Sequence, residues 1–191
     1  MQKYLPGILV LLIIVLTGTY HLYSSQQLFF QKSKEVHVHA DFIVHINNQK
    51  LDLSSTTYQS TTEKALHPHV HLHDGDDHVV HRHADGITFV EFLGSLGYTV
   101  SNDCFTNKVN ETFCTDTENI LTLYVNKKPV DKIVSYIAQE EDQVLLYYGT
   151  RDNPNITEYL NSVTDESCIY SGTCPERGIA PPESCGLTCE I

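Results

Sequence analysis

Glu35-Val36-His37-Val38-His39-Ala40-Asp41-Phe42-Ile43-Val44-His45-Ile46 is the stretch whose reading decides the fold. Apolar residues recur at every second position, with Val36, Val38, Ala40, Phe42, Val44 and Ile46 on one face and His37, His39, Asp41, Ile43 and His45 on the other. Side chains two apart on a strand point the same way, so the segment predicts a half-buried strand. Asn47-Asn48 follows as a turn, and Leu51-Asp52-Leu53 can pair back as a hairpin.

The next strand-like segments repeat the same histidine spacing. His67-Pro68-His69-Val70-His71-Leu72-His73 leads into Asp74-Gly75-Asp76-Asp77, and His81-Arg82-His83 comes back. This reads as a second hairpin, and its register decides whether the imidazoles converge. A two-residue loop at Gly75-Asp76 would set His71 against Val80 and mix the faces. A three-residue loop, Gly75 to Asp77, pairs His71 with His81 and His69 with His83, leaving Val70, Leu72, Val80 and Arg82 on the other side. A slip of one residue exchanges the faces of a strand, so burial of the aliphatic residues selects the second register. The pattern alone leaves open whether His37 and His39 meet this hairpin across the sheet.

Further along, Thr88-Phe89-Val90-Glu91 has the form of a capping box, and Phe89, Phe92, Leu93 and Leu96 recur at helical spacing up to Gly97. Ile120 to Val125 reads as a strand, Asn126-Lys127-Lys128-Pro129 as a turn, and Val144 to Tyr148 as a final strand ending at Gly149. Asn153-Pro154 opens a short amphipathic helix carrying Ile156, Tyr159, Leu160 and Val163. Hairpins, one main helix, strands and a cysteine-bearing tail predict an α+β fold: an antiparallel or mixed sheet with one helix and a disulfide-stapled C-terminal tail.

The chain has 191 residues, enough for one ordinary core with an anchor and a tail beside it. The run from Tyr4 to Tyr20 is nearly unbroken and apolar, and no small-residue cleavage pattern follows it. Residues 1–23 are therefore expected to form an uncleaved signal anchor, a transmembrane helix, with 24–34 as a polar stalk. The domain proper is expected over 35–165, outside the cytoplasm, and a Cys-rich tail over 166–191. All six cysteines, Cys104, Cys114, Cys168, Cys174, Cys185 and Cys189, follow the histidine region, and an even number in an exported chain reads as disulfides. Cys104 with Cys114 and Cys168 with Cys174 are the preferred pairs, which leaves Cys185 with Cys189. The formal charge of −12 argues against a nucleic acid partner, whose phosphates demand a basic footprint.

Ten of the 11 histidines lie between His37 and His83. Neutral imidazole suits zinc, copper, nickel or iron, and no cysteine lies nearby to impose a thiolate site. Copper(II) is favoured by the Irving–Williams order, and availability can make the ion zinc. The paired set His37, His39, His71, His73, His81 and His83 reads as the metal-binding group. His21, His45, His67 and His78, which lack that recurrence, read as ordinary residues. Asp41 shares the face of His37 and His39 and is expected to orient an imidazole from behind. Asp74, Asp76 and Asp77 lack the spacing of a calcium loop and read as a turn.

The motifs His37-Val38-His39-Ala40-Asp41-Phe42, His71-Leu72-His73-Asp74-Gly75, His81-Arg82-His83 and Cys174-Pro175-Glu176-Arg177-Gly178 resemble a poorly characterised group of single-span exported microbial proteins rich in histidine. Some of its members carry the label protein-disulfide isomerase. The half from Phe89 to Gly149 looks, by element order, like a β-grasp module. Three functions follow as expectations: a membrane-anchored extracytoplasmic protein that binds zinc or copper, a zinc-dependent hydrolase or hydratase, and a thiol–disulfide oxidoreductase. The sequence has no HExxH for the second and no C-x-x-C for the third.

Overall fold

In the computed structural model, residues 15, 17, 35–61 and 63–181 are described. The chain divides into two compact units at Lys34/Glu35. The expected anchor and stalk, like the Cys185–Cys189 pair, fall outside the described residues apart from Val15 and Thr17. Among the described residues no helix is long and apolar enough to cross a membrane.

Strand β1 (Glu35–Ile46) forms along the whole alternating stretch. Asn47 and Asn48 both take positive φ, which twists the chain back into β2 (Gln49–Lys50), a partner for His45 and Ile46. β3 (Val70–His71) and β4 (Val79–Ala84) make the second hairpin, with His71 opposite His81 and Val70 opposite Arg82. That is the register which burial of the aliphatic residues demanded. Val70, Leu72 and Val80 lie in the main core. The buried Arg82 guanidinium donates to the carbonyls of Ala84 and Ala138, at 2.7 to 3.2 Å.

Helix α1 (Phe89–Ser95) starts at the capping box, with Thr88 and Glu91 bonded reciprocally. Gly97 ends this segment at φ 92°, a conformation that glycine adopts cheaply. Three short strands, β5 (Thr99–Val100), β6 (Cys104–Thr106) and β7 (Thr112–Cys114), build a small antiparallel sheet. β8 (Asn119–Val125) turns through Asn126-Lys127 into β9 (Lys128–Pro129), and β10 (Gln143–Thr150) follows. The main sheet runs β3-β4-β1-β10-β8-β9, with β2 on β1 where β4 has ended. β1 and β10 are parallel and every other pair in this sheet is antiparallel, so the fold is α+β with a mixed sheet.

One face of the sheet packs on α1. Phe42 is fully buried with its ring 5.8 Å from Phe89 and 5.1 Å from Phe92, all within one cluster with Leu93, Leu123, Val144 and Leu146. Each such side chain contributes about 1.5–3 kcal/mol by leaving water. The β-grasp-like half is not self-contained: the parallel partner of β10 is β1, from the other half of the domain.

The polar face of β1 is not left to solvent. Ile43 joins Leu145, Tyr147 and Val163 in a second cluster beneath α2 (Ile156–Ser162), and α3 (Ser167–Ser171) packs on β1 beyond it. From His39 to Ile46 the strand is buried on both sides, so it is more enclosed than its alternation predicted. Cys104–Cys114 and Cys168–Cys174 are both bonded, as the spacing predicted. Cys104 and Cys114 face each other across β6 and β7, so the first disulfide staples a hairpin rather than closing an irregular loop.

Candidate metal centre

The sheet brings all six paired histidines together. β4 lies between β3 and β1, and His71, His81 and His39 stand directly opposite one another in one row across the three strands. His37 and His83 extend the face on one side, with rings 4.6 Å apart, and His73 extends it on the other, 4.0 Å from the His81 ring. His71, His73 and His81 are fully buried, His39 nearly so, His83 is half-buried and His37 is exposed. The face thus runs from a closed interior to one open rim. His69 lies at the surface, its ring 6.2 Å from His67, and contributes its carbonyl to the His83 N–H.

Two pairs of ring nitrogens approach closely. His37 Nε2 lies 3.1 Å from His39 Nε2, and His73 Nε2 lies 3.2 Å from His81 Nδ1. Two nitrogens at ~2.0–2.1 Å from a tetrahedral ion stand ~3.3 Å apart, so both pairs have the length of one edge of a coordination shell. One ligand atom from each of His37, His39 and His81 lies within 4.8 Å of the other two, which makes these three a group able to hold a metal ion.

The hydrogen bonds behind the rings fix which nitrogen is free of a proton. His39 Nδ1 lies 3.0 Å from Ser171 Oγ, whose own proton goes to an acceptor, either the Glu140 carboxylate or the Ser167 carbonyl. Ser171 can then only accept from His39, so Nδ1 of His39 carries the hydrogen and Nε2 presents a lone pair. His73 Nδ1 lies 2.7 Å from Asp74 Oδ2, which can only accept when ionised, and the same tautomer follows. An imidazole backed by an oxygen acceptor and offering Nε2 is the arrangement of metal-ligating histidine. Burial works to raise the Glu140 carboxyl, but hydrogen bonds from His39 and Ser171 outweigh it and hold it below its ordinary range.

A C-terminal segment covers this face. Tyr170 on α3 sets its ring at 90° to that of His81, 4.8 Å away, with His39 at 5.7 Å. Its hydroxyl donates to Asp76 Oδ2 at 2.9 Å, and burial together with that carboxylate pushes the phenol pKa up. Asp41 is the fastening point. Fully buried, it accepts from Thr164 Oγ1 (2.5 Å), Glu166 N (2.7 Å), Ser167 N (3.0 Å) and Ser167 Oγ (2.5 Å). The sequence reading made Asp41 the orienter of an imidazole; its carboxylate is instead committed to the covering segment, and Asp74, Ser171 and Glu140 back the rings. A cleft of about 560 Å³ beside the Cys168–Cys174 disulfide is lined by Glu141, Asp165, Glu176 and Arg177 among others, and by none of the six histidines.

A second group of ligand atoms, from Asp76, Asp77 and His78, also lies within 4.8 Å. Its geometry is that of an ion-paired hub. His78 Nδ1 is 3.0 Å from Asp76 and 3.1 Å from Asp77, while Nε2 is 2.9 Å from Glu166. The hydrogen bond to Asp76 does most to raise the His78 pKa to about 10 against burial, so the imidazolium is itself the cation of the cluster. The hub ties the hairpin tip to the covering segment, and the tip is the expected turn, with Asp74 and Gly75 at positive φ. His45 stacks on Tyr159 at 4.1 Å, and among the described residues its buried Nδ1 has no hydrogen-bond partner. Burial, with a smaller contribution from Lys50, lowers its pKa.

Tyr170, Ser171 and Glu140 were invisible to sequence reasoning. α3 spans five residues, too few for a helical period to register, and Glu140 sits in a loop. What the fold and site define is an α+β domain with a histidine-lined sheet face able to hold metal. No known protein family, curated protein or solved structure matches the chain.

Proposed function

We propose that this protein binds zinc or copper through the histidine face, as a membrane-anchored module displayed outside the cytoplasm. The observation that carries the reading is the pair of 3.1 and 3.2 Å nitrogen contacts, each including an imidazole whose remote nitrogen is tied to an oxygen acceptor. The apolar run from Tyr4 to Tyr20 supports the anchor, and two disulfides fit an oxidising compartment. Retention of an ion fits better than turnover. Glu140, the carboxylate behind His39, is engaged by Ser171, and a general base must instead reach the water on the open side of the ion.

The test is elemental analysis of the full-length chain purified without a metal column, beside a variant with His39→Gln and His81→Gln. Zinc or copper at one equivalent or more, lost from a variant whose circular dichroism is unchanged, supports the reading. Absence of metal from the wild type even after loading and buffer exchange overturns it. Retention of the chain in membranes after alkaline carbonate washing checks the anchor, and its release would refute that part alone.

A further inference from the structure

The cleft of about 560 Å³ in the covering segment is lined by both sulfur-bearing residues of one disulfide, Cys168 and Cys174. We propose that it is a thiol-exchange site: a dithiol reductant enters it and opens Cys168–Cys174. Resting on the metal-binding reading above, the consequence is a weaker hold of the histidine face on its ion.

The first reason is what the disulfide encloses. Between its two cysteines stand Tyr170, whose ring lies against His81 and His39, and Ser171, which accepts from His39 Nδ1. α3 has five residues and little stability of its own, and by loop entropy a cross-link this short disfavours the released loop roughly 50-fold. Access is the second reason. Both cysteines are half-buried rather than buried, and the cleft has the size of a small-molecule site. Charge is the third. Arg177 Nη1 lies 3.5 Å from Cys168 Sγ, fixed there by a 2.9 Å ion pair with Asp165 and a 2.7 Å bond to its carbonyl. A guanidinium stabilises a thiolate formed beside it, so Cys168 is the better leaving group and attack falls on Cys174. Glu141, Asp165 and Glu176 outnumber Arg177 in the lining, which disfavours an anionic thiol and suits a neutral dithiol or one set in a basic surface. Cys104–Cys114 differs: its cysteines are held in register by the β6–β7 ladder and do not line this cleft.

The attacking thiolate bonds to Cys174 Sγ as the bond to Cys168 breaks, and the electron pair leaves on Cys168 Sγ beside Arg177. The second thiolate of the reductant then displaces Cys174 from the mixed disulfide. Two electrons pass from the dithiol, which becomes a disulfide, and its two protons end on the two cysteine thiols. The rim at His37 is open with the cover docked, so the effect falls on affinity rather than on an exit path. A released loop takes Ser171 from His39 Nδ1, and loss of such a backing partner weakens a metal site by about 10–100-fold.

Limiting dithiothreitol on the native full-length chain, quenched with iodoacetamide and mapped by peptide mass, tests the site. Cys168 and Cys174 are expected to label well before Cys104 and Cys114, and Arg177→Gln to slow their labelling several-fold, with Arg177→Lys restoring part of the rate. Labelling of Cys168 and Cys174 no sooner than Cys104 and Cys114 overturns the exchange site, and an unchanged rate in Arg177→Gln overturns the role of the guanidinium. Zinc affinity, read by chelator competition without reductant, tests the consequence in a variant with Cys168→Ser and Cys174→Ser. Should that variant not fold, the selectively reduced and alkylated wild type takes its place. Affinity is expected to fall by up to about 100-fold, with faster amide exchange at residues 168–174. An unchanged affinity overturns the control of the face while leaving metal binding intact. A wild type that holds no zinc overturns that control together with the reading beneath it, and the exchange site is then judged on labelling alone.

Discussion

Replacing Asp41 with Asn keeps the shape of the side chain and removes its charge. One oxygen can still accept, but the amide NH₂ replaces the other, and the Ser167 backbone N–H cannot reverse its role as the Ser167 hydroxyl can. Four bonds to a fully buried carboxylate are at stake, and hydrogen bonds to charged groups contribute ~1.5–3 kcal/mol each. Losing one outright and weakening the others costs roughly 3–5 kcal/mol. If residues 164–177 release as a unit, the loss is capped by the free energy that docks them. Urea unfolding measures the global part, and amide hydrogen exchange at Glu166 and Ser167 measures the local part. Faster exchange there is the expected result, together with quicker release of the metal if the proposed function holds. A variant within about 1 kcal/mol of wild type whose Glu166 and Ser167 amides stay protected would refute the fastening role of Asp41.

Imidazole ligands must be neutral, so metal affinity is expected to fall steeply below about pH 6, which equilibrium dialysis across pH 5–8 checks; a flat profile would exclude histidine ligation. His78 has a folded-state pKa of about 10, above its ordinary 6.5, so its stabilisation is complete below pH 6.5 and disappears as pH rises through about 10. Discounted for the partial exposure of its partners, the advantage of wild type over His78→Gln should shrink by roughly 2 kcal/mol between pH 6 and pH 10 in urea titrations. His45 works in the opposite sense: with its pKa lowered by burial, wild type should lose stability relative to His45→Phe as pH drops below 6.5. Changing Cys104 and Cys114 to Ser opens a loop with a sequence separation of 10 and should cost about 2.7 kcal/mol in thermal unfolding, measured against the intact disulfide.

The alternating strand, the hairpin register and the capping box were legible because each is a local pattern enforced by burial. Once Val70, Leu72 and Val80 had to face the core, His71 and His81 had to meet. The adjacency of β4 to β1 was not legible, since pairing between segments joined by a loop depends on the whole sheet; it is what turns two half-sites into one face. β5 to β7 escaped notice because they are two or three residues long and carry polar threonines. Asp41 was singled out for the right location and the wrong partner: its face was readable, while the segment 123 to 126 residues away that takes its oxygens was not.

The histidines and their cover come from opposite ends of the domain. β1, β3 and β4 are complete by Ala84, whereas β10 begins at Gln143 and the covering helix at Ser167. Chains are made from the N-terminus, so the imidazole-bearing strands leave the ribosome before the parallel partner of β1 and well before α3. Under the proposed function, an ion captured by those strands before the chain is complete would be covered by the later arrival of Tyr170. For an ion at the buried end of the face, away from the open rim at His37, exit would then wait on undocking of the last-made segment, so two copies of the same chain with identical ligands would differ in metal content according to when each met the ion.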